Sequence, residues 1–113
     1  MAVAAASVNV FQTITTVVGT STVGIYTAPI GYTGVILISQ VTNIGSTTET
    51  ISFGYRREGV DTEIVKDLAI PANDTANLLP GKLVVETSDT LTIVGSNATN
   101  LKYLSSILET SNL

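Results

Sequence analysis

Between Ile70 and Ser96 the sequence IPANDTANLLPGKLVVETSDTLTIVGS turns back every few residues, and this punctuation limits the fold more than any other feature. Pro71-Ala72-Asn73-Asp74 is a tight turn, Leu78-Leu79 a short apolar piece and Pro80-Gly81 a second turn. Two strand-like segments follow, Lys82 to Glu86 and Thr90 to Val94, separated by Thr87-Ser88-Asp89, a connection with the length and polarity of a β-hairpin loop. Segments this short bury themselves only as strands.

The rest of the chain repeats the pattern. Val8 to Val18 alternates without a cleanly apolar face, which suits an edge strand or one exchanged between subunits. Val23 to Ala28 is a second strand, ended by Pro29-Ile30-Gly31. Thr33 to Asn43 is the most apolar strand. Unbroken alternation places Val35, Leu37, Ser39 and Val41 on one face and Ile36, Ile38, Gln40 and Thr42 on the other, so Ile36 and Ile38 are expected in an outward row. Thr50 to Arg57 sets Ile51, Phe53 and Tyr55 against Ser52, Gly54 and Arg56, and after the Glu58-Gly59 turn Val60 to Leu68 carries a concentration of charge. That pair reads as the solvent-facing rim. Leu101, Leu104, Ile107 and Leu108 fit a helical spacing, but a segment flanked only by strands reads as the last strand, Leu101 to Glu109. Gly24 and Gly54 interrupt strands and mark bulges or close backbone approach.

These segments define an all-β, single-domain antiparallel β-sandwich, jelly-roll or immunoglobulin-like, of about eight short strands. Residues 1–9 read as an N-terminal arm and residues 10–113 as the sandwich domain. A chain of 113 residues is one domain by length and buries roughly 65% of the surface its unfolded form exposes.

Composition then narrows function. Charged residues are 12% of the chain, against about 25% in ordinary soluble domains, while hydrophobic residues reach 44% and mean hydropathy is +0.42. Apolar runs such as Val35 to Ile38 fall far short of the ~20 residues of a membrane-spanning helix. Other protein is therefore expected to cover part of the exterior, because monomers rarely expose large apolar patches. A net charge of −4 and a pI near 4.4 leave no basic face for nucleic acid.

The chain has no cysteine and no histidine, which removes disulfides, thiolate metal sites and the commonest general base. No Gly-x-Ser-x-Gly elbow, serine-lysine motif or phosphate-binding glycine loop is present, and the carboxylates of Asp61, Glu63, Glu86 and Asp89 lack the spacing of a calcium loop. No catalytic, cofactor or metal residue is expected. Aromatic residues are 5% of the chain without tryptophan, a thin supply for sugar stacking; Tyr32 is the tyrosine placed best for exposure, and a ring lying over the sandwich end with its hydroxyl bonded is preferred there to a ligand platform. Arg56-Arg57 is the one adjacent basic pair, and a bridge from it to Asp61, Glu63 or Asp67 of another copy is expected to help register more than strength.

Tyr26-Thr27-Ala28-Pro29 with Gly31 and Thr33, then Gln40-Val41-Thr42-Asn43, Ile70 to Thr75 and Leu83 to Leu91 together resemble a family of small virion proteins of tailed bacteriophages. The chain departs from it at Ser88-Asp89, where many relatives have glycine-aspartate. The resemblance implies a compact, non-enzymatic β-sandwich, assembled in the host cytoplasm into a virion and oligomeric about a symmetry axis. The first expectation is a capsid decoration or cement subunit, a trimer bound to the major capsid protein. A neck or tail accessory ring comes second and a receptor- or glycan-binding fibre module third. Interface contacts are expected from Val3, Val8 and Val10 on the arm, from Ile36 and Ile38, and from Arg56 and Arg57.

Overall fold

A computed structural model describes residues 9–112. The strands in chain order are β1 (Asn9–Val17), β2 (Val23–Thr27), β3 (Tyr32–Asn43), β4 (Glu49–Arg57), β5 (Val60–Ile70), β6 (Thr75–Asn77), β7 (Leu83–Val85), β8 (Thr90–Gly95) and β9 (Leu101–Ser111). They form two antiparallel sheets, one ordered β1-β9-β3-β6 with β7 also on β3, the other ordered β2-β8-β4-β5. Because β1 and β2 lie in different sheets, as do β3 and β4 and β8 and β9, the order is that of a jelly roll and not of an immunoglobulin domain. β6 and β7 occupy one jelly-roll position, split by the loop through Leu78 and Pro80.

The segment with helical spacing is strand β9, central between β1 and β3. Its inward row of Leu101, Tyr103, Ser105 and Ile107 is buried, whereas Lys102, Leu104, Ser106 and Leu108 face outward. Ile51 and Phe53 of β4 and Leu91 and Ile93 of β8 meet that row from the other sheet. The Phe53 and Tyr103 rings stand 6.0 Å apart, and the Tyr103 hydroxyl, buried in this core, pairs with Ser39 Oγ at 2.9 Å. A buried hydroxyl without that partner would cost about 1–3 kcal/mol.

Two expectations are corrected. The segments Lys82 to Glu86 and Thr90 to Val94 do not form a hairpin: β7 pairs with β3 and β8 with β2 and β4, so Thr87-Ser88-Asp89 crosses from one sheet to the other. Backbone bonds hold the crossing, from Ser88 N to Ala28 O at 2.9 Å and from Ala28 N to Asp89 O at 3.1 Å, with Ser88 at φ 71°. The second correction concerns Ile36. The pairing of β3 with β9 slips between Ile36 and Ile38, and this bulge inverts the alternation, so Ile36 is fully buried with Ser39 and Val41 while Ile38 is 46% exposed.

The other turns follow their sequence. Glu58 (φ 51°) and Gly59 (φ 78°) both adopt left-handed backbone, the two-residue hairpin turn that matches strand twist and that glycine favours. Gly24 and Gly54, which the sequence marks for bulges or close backbone approach, both sit at register shifts, and a Cβ at Gly54 would stand 3.1 Å from the Thr62 carbonyl oxygen.

Candidate assembly interface

The two outer faces of the sandwich differ in chemistry. On the β2-β8-β4-β5 sheet, Arg56 pairs with Asp61 on the neighbouring strand (Nε to Oδ1, 2.6 Å), and Glu63, Lys66 and Asp67 are exposed alongside. This is the solvent-facing rim that the charge pattern predicts.

On the other sheet, cross-strand register aligns Phe11 with Leu108, Leu108 with Val35 and Val35 with Val84. Directly opposed residues of antiparallel strands share a face, so these four make an apolar row across β1, β9, β3 and β7. Phe11 is 72% and Val84 53% exposed, and Ile38 lies beside the row. Farther along, a shallow depression of about 430 Å³ is lined by Thr15, Val17, Gln40, Thr42, Lys102 and Leu104. Lys102 is the one charged residue in the outward rows of β1, β9, β3 and β7. An exposed phenylalanine and valine in line with two half-covered neighbours form surface that water solvates poorly.

Of the residues expected to make contacts, Val3 and Val8 lie outside the described residues. Val10 is at the start of β1 and is 38% exposed. Ile38 is beside the apolar row, Ile36 is in the core, and both arginines find carboxylates on their own chain. Register reveals Phe11, Val35, Val84 and Leu108 as a set that the sequence alone does not connect. The alternation of each strand puts them on a face, but only the cross-strand pairing puts them in line.

Arg57 belongs to a cluster at one end of the sandwich. Its Nε and Nη2 donate to Asp89 Oδ2 at 2.9 and 2.6 Å, Nη2 also reaches Glu86, and the Tyr55 hydroxyl donates to the same Asp89 oxygen at 2.5 Å. Hydrogen bonding from Arg57 holds the Asp89 carboxyl below its ordinary range, and Asp89 in return raises the Arg57 guanidinium. Each charge here is answered by another, an arrangement that fastens the Thr87 to Asp89 crossing and offers no poised acid or base. Thr87, in the same loop, donates to the Tyr32 carbonyl at 2.5 Å. Tyr32 is half-buried and supplies this backbone acceptor.

Across the sandwich, the Tyr26 hydroxyl on β2 donates to Glu109 on β9 at 2.7 Å. Burial, then the Glu109 carboxylate, pushes the Tyr26 phenol well above its ordinary value. Among the described residues no group of three or more histidine, cysteine, aspartate or glutamate side chains converges as a metal site, and no helix is long and apolar enough to cross a membrane.

No protein-family model and no curated protein matches the chain. Solved structures do. A chain from Bacillus endospore appendages, described as disulfide-linked pili, aligns at TM-score 0.56 and 16% identity over 98% of both chains. A chain from the acid-stable capsid of Helicobacter pylori bacteriophage KHP30 aligns at TM-score 0.54 and 13% identity, covering 92% of this chain and 88% of that one. A third match, at TM-score 0.55 and 14% identity, comes from the T13 IBDV viral particle and covers 93% of this chain but 31% of the other. At these identities the likeness is one of fold: the chain shares a jelly-roll-like sandwich with capsid and pilus proteins.

Proposed function

We propose that this protein is a non-enzymatic structural subunit of a virion, a capsid decoration or cement protein that assembles with copies of itself and binds the coat through the Phe11–Leu108–Val35–Val84 face. The observation that carries the reading is the contrast between the two sheets, one bearing the Arg56–Asp61 pair beside exposed Glu63, Lys66 and Asp67 and the other crossed by an apolar row exposed at Phe11 and Val84. A surface made only for water has no use for the second.

The energetics suit a repeated subunit. A standard interface of about 1,600 Å², roughly 57% apolar, has near 20 kcal/mol of gross driving force at about 25 cal/mol per Å². Most is offset by lost rigid-body freedom and desolvation. Many copies acting together make modest single-site affinity sufficient. The likeness in fold to a chain of comparable length from the phage KHP30 capsid supports a particle role.

Quantitative mass spectrometry of purified particles tests it. Hundreds of copies per particle are expected for a shell component. Six or twelve would move the protein to a neck or tail ring, and absence from particles would overturn the proposal.

A second reading is favoured by the full-length match to Bacillus appendage pili, namely a filament subunit. Those pili are described as disulfide-linked, whereas this chain contains no cysteine, so a filament of it would be joined without disulfides. Electron microscopy of the purified protein separates the readings: helical fibres support the filament, discrete oligomers the shell.

A further inference from the structure

We infer that the free edge of β1 pairs with the same edge of a second copy, antiparallel and about a two-fold axis through Ile14. The inference rests on reading the chain as an assembly subunit and names one of its contacts. Among the described residues the sandwich has strand edges at β1, at β6 and β7, at β2 and at β5. Three of them are blunted. β5 carries Asp61, Glu63, Lys66 and Asp67 and shifts register twice against β4; β2 is bulged beyond Gly24; β6 and β7 span only Thr75–Asn77 and Leu83–Val85. These are the usual devices against edge-to-edge pairing.

β1 has none of them. It holds unbroken register with β9 from Asn9 to Val17 and bears no charge. Val18 N bonds to Leu101 O at 2.8 Å, so by strand alternation the even-numbered residues of β1 spend their backbone groups on β9. Phe11, Thr13, Thr15 and Val17 therefore aim N–H and C=O at the open edge. An unpaired row of donors and acceptors on a long, unbulged and uncharged strand is a template for another strand.

The occupant follows from the sequence of that edge. Residues 11–17 read Phe-Gln-Thr-Ile-Thr-Thr-Val, which is nearly symmetric in chemistry about Ile14. Antiparallel pairing centred there sets Phe11 against Val17 of the second copy, Thr13 against Thr15, Gln12 against Thr16 and Ile14 against itself. Apolar meets apolar, and threonine meets threonine, a favourable cross-strand pair. The odd-numbered pairs exchange hydrogen bonds and the even-numbered pairs fall between them, as an antiparallel ladder requires. A two-fold contact demands a self-complementary patch, and this one is. No like charges confront each other across it. The apolar row that starts at Phe11 then continues at Val17 of the second copy.

Because the natural chain has no cysteine, single introduced thiols report the register. Under mild oxidation Ile14→Cys is expected to cross-link to itself. Gln12→Cys and Thr16→Cys are each expected to remain single alone and to cross-link when mixed, which keeps the test independent of whether Ile14→Cys folds. Thr15→Pro, whose lost N–H bonds nothing within the chain, is expected to keep the melting transition and abolish every cross-link. Absence of both the Ile14 and the mixed cross-links, or equal cross-linking from a Val60→Cys control on β5, would overturn the pairing. If cross-links fail while the protein is abundant in particles, the edge contact is wrong and the assembly role stands.

Discussion

Arg57 and Asp89, 32 residues apart in sequence, meet through two N–H donors on one carboxylate oxygen, at 2.9 and 2.6 Å. The pair ties the end of β4 to the loop that carries the chain from one sheet to the other, and Tyr55 closes the group by donating to the same oxygen. Asp89 is 6% exposed although Arg57 is largely in solvent. Asp89→Asn weakens all three contacts without opening a cavity, and its melting temperature is expected to fall by about 5 °C in a domain of this size. An unchanged transition by differential scanning calorimetry would remove this group from the account of how the crossing is held.

The same carboxylate sets the response to acid. Its native pKa lies below the ordinary 3.8 because Arg57 favours the charged form, so the unfolded chain takes up its proton first as pH falls. Stability from Asp89 is complete above about pH 4 and declines below it as the native value is passed. Glu49, lowered by hydrogen bonds from Ser96 and Thr47, and Asp61, lowered by Arg56, act in the same direction. Urea midpoints are expected to stay flat from neutral pH to about pH 5 and to drop below about pH 4, with a shallower drop in Asp89→Asn.

At the alkaline end the sign reverses. The native fold holds the Tyr26 proton more tightly than the ordinary 10.0, so stability is complete below that pH and falls above it as the unfolded chain ionises first. The ring fits only because residue 34 is glycine: a Cβ there would stand 2.5 Å from the Tyr26 hydroxyl oxygen. Gly34→Ala is expected to cost about 1–3 kcal/mol by overpacking. Tyr26→Phe should cost about 1 kcal/mol for the lost hydrogen bond and flatten the alkaline limb. Both effects are read from equilibrium unfolding.

Ile36 and Ile38 test the bulge in β3. Regular alternation gives them the same face and similar sensitivity. The structure buries one and exposes the other, so Ile36→Ala is expected to cost about 2–5 kcal/mol, while Ile38→Ala stays within about 0.5–1 kcal/mol. Equal costs would show that the register slip is absent.

Much of this fold is legible in strand periodicity and turn chemistry. Ile51 and Phe53 point inward as their alternation requires, Glu58-Gly59 turns as its residues favour, and β9 is a strand despite its helical spacing. What local pattern conceals is pairing. Thr87-Ser88-Asp89 has the length of a hairpin loop, but a crossing between sheets needs the same length, and the choice is made by Arg57 and Ala28, distant in sequence. The bulge that buries Ile36 is likewise a property of two strands together. The apolar row was hidden for the same reason: Phe11, Val35, Val84 and Leu108 come from four strands, and nothing within any one of them announces the other three.

If that row is the binding face, charge placed on it should harm assembly and spare the fold. Val84→Lys and Phe11→Lys are each expected to shift stability by no more than about 0.5 kcal/mol and to reduce incorporation into particles sharply, as measured by mass spectrometry of particles assembled with the variant. Val60→Lys, on the charged sheet's edge strand, should incorporate normally.

Cryo-electron microscopy of the assembled particle tests the central claim most directly. The account predicts that Phe11, Leu108, Val35 and Val84 lie beneath neighbouring protein while Arg56, Asp61 and Glu63 face solvent. A map in which the charged sheet is the covered one and the apolar row stands in open water would contradict it.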